Sequence, residues 1–306
     1  MSKSIKILLI LLLSMLMLGC GNQSPSNEEY IDIEKLYSEN KELIEKVVSH
    51  ADIKAASEKF DFEYSSDIYL EGKFSVMRLK KIDGVKINFE KILYYQSRHF
   101  VILMCEMKNE KSAKEVYEKY KLIDPEYQVF YEKNVIYFNE IIFNLVKNNY
   151  FVEGDNYITS DNKTFLTNLS DDETLQIPNV VEIAKEACLF FTNIKSLYMN
   201  ESLEKIKYGA FYGCFNLQNV YLNDGLKEID DYSFYACESL KYVVIPESVE
   251  KIGKKVFSHG FIFCEAESKP ANWDESFYGA RAKVYWGNEW KYNEDGVPMV
   301  INIGKK

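Results

Sequence analysis

A chain of 306 residues with 47% apolar and 15% aromatic content has ample material for packed cores and room for one or two domains. Its 47 acidic against 37 basic residues give a net charge of −10, so phosphate backbones and anionic lipid headgroups are repelled and nucleic acid is not an expected partner. One of the six cysteines sits beside an N-terminal apolar run, and the odd five that remain cannot form a complete disulfide framework, so the core must hold the fold.

Lys3 and Lys6 precede an apolar run from Ile7 to Leu18, and Gly19-Cys20 comes next: a charged region, an apolar stretch and a small residue before a cut. The run is shorter than the roughly 20 apolar residues that span a bilayer, and the residues after Cys20 are small and polar, so cleavage is expected. Leu16-Met-Leu-Gly-Cys20 resembles the bacterial lipobox, with Met17 where leucine is usual. The resemblance implies a lipoprotein signal peptide over residues 1–19, a diacylglycerol on Cys20, and an extracytoplasmic protein anchored to the membrane at the bacterial cell surface. An ordinary secretory signal or an uncleaved anchor helix are the alternatives, and both also export the chain. Residues 20–29 carry the lipidated cysteine and a polar, proline-containing stretch suited to a flexible tether. Loss of Lys3 and Lys6 leaves 35 basic residues against 47 acidic, a mature charge of about −12.

Residues 30–150 show none of the periodicity found further on and read as a separate α+β domain of no recognised family. Ile33, Leu36, Tyr37, Leu43, Ile44, Val47 and Val48 fall near helical spacing and predict an amphipathic first helix. Phe74 to Leu79 and Val85 to Tyr95 form an expected hairpin around Ile82-Asp83-Gly84. Phe100 to Cys105 is continuously apolar and suits a central strand; Asn109 caps a helix through Lys121 with a stripe of Ala113, Val116, Tyr117 and Tyr120. Two short aromatic strands flank Glu132-Lys-Asn134, and a helix is expected near Glu140 to Lys147. This order suggests helices on one face of an antiparallel sheet. Residues 157–174, with a hairpin from Tyr157 to Leu166, are expected to cap the N-terminal end of the repeats that begin at Leu175.

From Leu175 an internal period governs the chain. Leu197 to Asn219 and Val220 to Tyr242 align without a gap at 23 residues, and a third unit begins at Val243. Ile206, Ile229 and Ile252 share one column, and Phe211, Phe234 and Phe257 another. A degenerate unit with Leu175-Gln-Ile177 as its strand and Ile183 in the isoleucine column precedes them, one residue shorter. Alternating Leu197 and Met199, Val220 and Leu222, Val243 and Ile245 make short strands with one face inward. Leu203, Leu226 and Val249 add an apolar column, as do Leu217, Leu240 and Phe263. No coil can bury these residues alone, so stacked coils are expected to form a quasi-linear solenoid. Cys214 and Cys237 share a column with Gly260 in the next unit; they read as small buried hydrophobes, with a bond between the two left open.

The motifs Gly209-Ala-Phe-Tyr-Gly-Cys-Phe-Asn-Leu217, Ser233-Phe-Tyr-Ala-Cys-Glu-Ser-Leu240 and Ile245-Pro-Glu-Ser-Val249 resemble the BspA-like, type 5 leucine-rich repeat family of bacterial surface proteins. The resemblance covers residues 175–287, ending in a terminal coil from Phe263 to Gly287, and leaves 288–306 as a C-terminal tail. It implies a non-catalytic module for adhesion and protein or glycan binding. Trp273, Trp286 and Trp290 all fall near this end and read as a cap on the exposed core.

No constellation for catalysis stands out. Ser-x-x-Lys occurs at Ser38, Ser202 and Ser248 in a lysine-rich chain without companion motifs. His50, His99 and His259 lie far apart, the Asp171-Asp172 and Asp230-Asp231 pairs read as solvated turns, and no cofactor or metal is expected. The candidate binding face is the outward strand column Tyr198, Tyr221 and Val244 with Asn200 and Asn223 beside it, where aromatics give contact area at modest entropic cost; strand propensity alone also accounts for tyrosine there. Two other roles remain open: an envelope sensor or enzyme in the N-terminal domain with the repeats as scaffold, and assistance in envelope assembly.

Overall fold

The computed structural model describes residues 30–50, 91–95, 101–123, 129–137 and 140–301. The signal segment, Cys20, the tether and most of the hairpin expected around Asp83-Gly84 lie outside the described residues. No helix among the described residues is long and apolar enough to cross a membrane.

The first layer contains α1 (Ile33–His50), β1 (Lys91–Tyr95), β2 (Val101–Glu106), α2 (Glu110–Ile123), β3 (Phe130–Glu132), β4 (Val135–Tyr137) and α3 (Glu140–Val146). The strands form an antiparallel sheet in the order β1-β2-β4-β3, so β2 is internal as its apolar run suggests. Asn109 accepts the Ser112 amide at 2.9 Å and caps α2, which buries Ala113, Val116 and Tyr120. Two buried polar side chains fix the start of α1. Asn134 exchanges hydrogen bonds with both backbone groups of Ile31, at 2.7 and 2.9 Å, and Glu106 accepts the Ile33 amide at 2.9 Å.

Here the structure departs from expectation, because helices cover both faces of this sheet. Met104, Val135 and Tyr137 face Ile33, Tyr37 and Ile44 of α1, and Phe143 of α3 meets Tyr137 and Phe130 at 5.1 and 4.7 Å. On the opposite face Cys105 is paired with Ile136, and Tyr131 meets Tyr117 of α2 at 5.0 Å. Each helix has its own apolar stripe, and the alternation of the strands supplies an apolar surface to both.

A meander of β5 (Tyr150–Glu153), β6 (Asn156–Thr159) and β7 (Thr164–Asn168) leads into the repeats. Each coil then contributes to two parallel sheets. The first holds β8 (Thr174–Gln176), β10 (Ser196–Tyr198), β12 (Asn219–Tyr221), β14 (Tyr242–Ile245), β16 (Phe257–Cys264) and β17 (Tyr278–Tyr285). The second continues from β7 through β9 (Glu182–Ile183), β11 (Lys205–Ile206), β13 (Glu228–Ile229) and β15 (Lys251–Ile252). The fold is a β-solenoid. Phe165 pairs with Ile183, so the isoleucine column begins with a phenylalanine that the period does not reveal.

The third side of each coil is a run of turns. Phe211, Phe234 and Phe257, all fully buried, stack with centroids 5.3 and 5.5 Å apart and planes within 10° and 5°. Amides of one coil donate to carbonyls of the next, as Phe211 to Ser233 at 2.8 Å and Phe234 to Val256 at 3.2 Å. Tight turns require left-handed backbone at Phe190, Gly213 and Ala236, spaced 23 residues apart. At Gly213 (φ 71°) an added Cβ would lie 2.3 Å from the Phe190 ring, so this position has reasons of both conformation and space to be glycine. The five cysteines of the described residues are free and buried. The Cys214 thiol donates to the Cys188 carbonyl at 3.2 Å, and that of Cys237 to the Phe211 carbonyl at 3.3 Å.

The periodicity breaks after Phe257. Leu175, Leu197, Val220, Val243, Ile262 and Val284 are successive partners in the first sheet, 22, 23, 23, 19 and 22 residues apart. The chain therefore does not make the turn that would put Phe263 under Leu240. It runs straight through as β16, with Gly260 against the Leu240 carbonyl, where a Cβ would approach to 2.7 Å. Phe263 pairs with Val244 on the outer face instead.

The first layer and the solenoid share a core. Ile33, Tyr37, Ile44, Met104, Val135, Tyr137 and Val146 cluster with Phe190, Phe215 and Ala236 from the turn side of the repeats. Beside this contact Lys207 lies 2.8 Å from Glu182 and 3.4 Å from Glu140 at the start of α3. Burial pushes the Glu140 carboxyl above its ordinary range although Lys207 opposes the shift.

Candidate binding face on the first sheet

The strands of the first sheet alternate, so each inward residue leaves two neighbours pointing out. One outward column holds Gln176, Tyr198 and Tyr221; Phe263 pairs with Val244 and Tyr285 with Phe263 further along it. Asn219, Tyr242, Phe261 and Lys283 form the other. Tyr198 and Tyr221 are 40% and 42% exposed, and their rings stack at 4.5 Å within 10°. Burial, followed by the neighbouring Tyr198 and Tyr242, raises the Tyr221 hydroxyl above its ordinary pKa. Val244 is half-buried next to these rings.

Asn200 and Asn223 sit where the strand turns away, and both are engaged with backbone. The Asn200 amide donates to the Pro178 carbonyl at 2.6 Å while its oxygen accepts the Ser202 amide at 2.8 Å. Asn223 donates to the Leu203 carbonyl at 2.9 Å. These side chains clamp one coil to the preceding one and so define an edge of the face.

Sequence reasoning missed Tyr242, Phe261 and Tyr285. Tyr242 lies 23 residues after Asn219, a column legible from the period. Phe261, 45% exposed, was hidden by the shortened coil. Lys283 lies over its ring at 5.9 Å.

The tryptophans divide their work. Trp273 closes the core end, buried beside Phe277 with its indole donating to the Val249 carbonyl at 3.0 Å. Trp286 is 5.9 Å from it and half-buried. Trp290 belongs to a terminal hairpin of β18 (Trp290–Tyr292) and β19 (Pro298–Val300). It covers Phe263 at 5.4 Å and donates to the Cys264 carbonyl at 2.9 Å. The hairpin thus shields part of the outer face.

Of the residues considered for catalysis, His99 lies outside the described residues, and Ser248, His259 and Asp231 are occupied otherwise. Ser248 donates to the Leu226 carbonyl at 2.8 Å, and Lys251 and Lys205 both pair with Glu228. His259 lies 2.9 Å from Ser258, but its other nitrogen faces Arg281, a cation where a base would need an orienting carboxylate. Asp231 accepts the Lys254 amide at 2.7 Å, a turn role. Among the described residues no three His, Cys, Asp or Glu side chains converge as metal ligands would.

Residues 159–262 match the BspA type leucine rich repeat region in 6 copies. The repeat segment is of that family. Its match begins ahead of Leu175, in the hairpin whose Phe165 enters the isoleucine column. No curated protein matches. Among solved structures, the pneumococcal vaccine antigen PcpA is similar at 21% identity over 46% of this chain and 37% of that one, with a TM-score of 0.40. This chain therefore spans well under half of that antigen. A leucine-rich repeat protein from Bacteroides capillosus is similar at 24% identity over 45% of this chain and 98% of that one, with a TM-score of 0.34. The leucine rich repeat protein of T. pallidum matches at 26% identity over 44% of this chain and 62% of that one, with a TM-score of 0.32.

Proposed function

We propose that this is an exported lipoprotein, held at the bacterial surface by a lipid on Cys20, whose repeats bind a protein or glycan partner without catalysis. The exposed Tyr198–Tyr221 pair carries the reading: two aromatic side chains held in fixed register on a rigid sheet give contact area with little entropy left to lose. A stacked-coil scaffold also suits binding over chemistry, because it displays columns of side chains rather than a cleft. Ser248, His259 and Asp231, considered for acid–base or nucleophilic roles, have structural partners, which supports the same reading.

The double variant Y198S/Y221S, with its fold checked by circular dichroism, should lose capture of partners from host or envelope extracts by the full chain. Undiminished capture removes this face from the proposal. The anchor is tested separately: Cys20→Ser should move the protein out of the membrane fraction and abolish incorporation of labelled fatty acid. Continued labelling would show that Cys20 is not the lipid site.

A further inference from the structure

We infer that the outer face of the first sheet takes an extended, basic polypeptide segment, laid across the strands with its cationic side chains along the row Glu201, Asp224, Glu247 and Glu265. This rests on the reading of that face as the binding surface and adds the chemistry of the occupant.

Ring orientation comes first. A sugar ring needs an open aromatic face on which to lie, yet Tyr198 and Tyr221 turn their faces to each other at 4.5 Å. The remaining face of Tyr198 looks along the ladder toward Gln176, its register partner. Phe261 has Lys283 over its ring. These columns present to solvent ring edges and phenol hydroxyls, which suit the amides and side chains of a polypeptide.

Charge then selects among polypeptides. Just past the strands, Glu201, Asp224 and Glu247 recur at the 23-residue period, and Glu265 comes after β16; all four are exposed. Among the described residues none of them forms an ion pair, although Glu265 accepts the Glu247 amide at 3.0 Å. The contrast within the same coils is informative. Glu204 pairs with Lys227 at 2.8 Å, Glu228 with Lys205 at 3.2 Å, and Glu182 with Lys207 at 2.8 Å. Glu182, Glu204 and Glu228 are thus neutralised inside the fold, as is Glu173 by Lys195 ahead of the first-sheet strands, while the row past those strands is left for an external cation. Coils stack at about 4.8 Å, so the row spans about 15 Å and an extended segment of about five residues covers it. Unpaired like charges at that spacing repel, and a cationic partner relieves the repulsion.

The full chain is titrated with three fluorescent peptides of about eight residues, alternating Lys-Thr, Glu-Thr and Ser-Thr, and with a neutral β-glucan oligomer, a chelator being present. The Lys-Thr peptide should bind best and weaken steeply with salt. E201Q/D224N/E247Q should weaken it about tenfold, the combined effect of three exposed ion pairs. E115Q/E118Q, which removes two exposed carboxylates from α2, should not. Y198F/Y221F keeps the stack and should cost less than Y198S/Y221S. Equal binding of the Ser-Thr peptide, binding of the β-glucan instead, or equal loss in the α2 control overturns the inference. Should the tyrosine variant abolish capture from extracts while the carboxylate variant leaves it whole, the face stands and the basic occupant falls. Should neither variant alter capture, both fall.

Discussion

Replacing Phe234 by alanine removes the middle ring of the Phe211–Phe234–Phe257 stack, where centroid distances of 5.3 and 5.5 Å mean that two ring pairs are lost at once. A buried Phe→Ala change costs about 3–5 kcal/mol. Each aromatic pair contributes about 0.5–1.5 kcal/mol beyond its buried area. Phe234 is fully buried and its neighbours belong to different coils tied by backbone hydrogen bonds, so the site cannot collapse without breaking the ladder. The cost should therefore lie near the upper limit, about 5 kcal/mol. Phe234→Leu keeps most of the volume and loses chiefly the two ring pairs, about 1–3 kcal/mol. Urea denaturation followed by far-ultraviolet circular dichroism measures both. A cost below about 2 kcal/mol for F234A, or equal costs for the two variants, would refute the claim that ring stacking links the coils.

Gly213→Ala should destabilise by about 2–4 kcal/mol, adding left-handed backbone strain to the Phe190 clash; Ala236→Gly, at φ 61° in the same column, should be neutral or slightly stabilising by thermal melting. Lys207→Met leaves Glu140 and Glu182 without their shared cation and should cost about 3–5 kcal/mol at neutral pH. Because Glu140 is held above its unfolded pKa, chiefly by burial, its stabilising contribution is present below that unfolded value and lost as pH rises through the folded one. The penalty of Lys207→Met should accordingly shrink as pH falls toward about 4, where the carboxyls take protons; a penalty that is flat with pH in urea titrations contradicts the buried-carboxylate account.

The repeat columns were legible because inward residues at the same coil position face the same neighbours, so sequence copies geometry. Ile206, Ile229 and Ile252 therefore align in sequence and in space. The break after Phe257 was not legible. Gly260 falls where Cys237 predicts a small residue, and Phe263 falls where Leu240 predicts an apolar one, so the 23-residue frame survives in letters after the path has shortened. Two amphipathic helices reveal that each covers something, but not which face of a sheet each covers, and the strands of the first layer are apolar on both. Asn200 and Asn223 look like binding-face residues in the sequence and prove to be clamps, because an amide beside an exposed tyrosine reads the same whether it meets a ligand or a neighbouring coil. A signal for the shared core was present: Phe190, Phe215, Tyr212 and Tyr235 are more aromatic surface than the coil interior uses.

Each side of the solenoid has a different relation to solvent, and this narrows where a partner can act. The turn side carries Phe190, Phe215 and Ala236 against α1 and the four-stranded sheet of the first layer, so these apolar residues are satisfied within the chain. The second-sheet side pairs its carboxylates with lysines one coil away, as Glu228 does with Lys205 and Lys251. Such exposed pairs add about 0–1 kcal/mol each to stability but cancel the local field. The first-sheet side pairs Glu173 with Lys195 ahead of its strands but leaves the row past them without such pairs. Its aromatic residues are exposed over Tyr198, Tyr221 and Phe261, the terminal hairpin covers the end around Phe263 and brings Tyr292 near Glu265, Asp224 and Tyr242, and the carboxylates Glu201, Asp224, Glu247 and Glu265 past its strands form no ion pair among the described residues. A contiguous patch of exposed rings is a feature that marks interaction surfaces, and the carboxylates beside it set the sign of its field. Stacking the coils demands only the inward columns, and the outward residues are free of that demand; their aromatic and acidic character is what the proposed binding face would use.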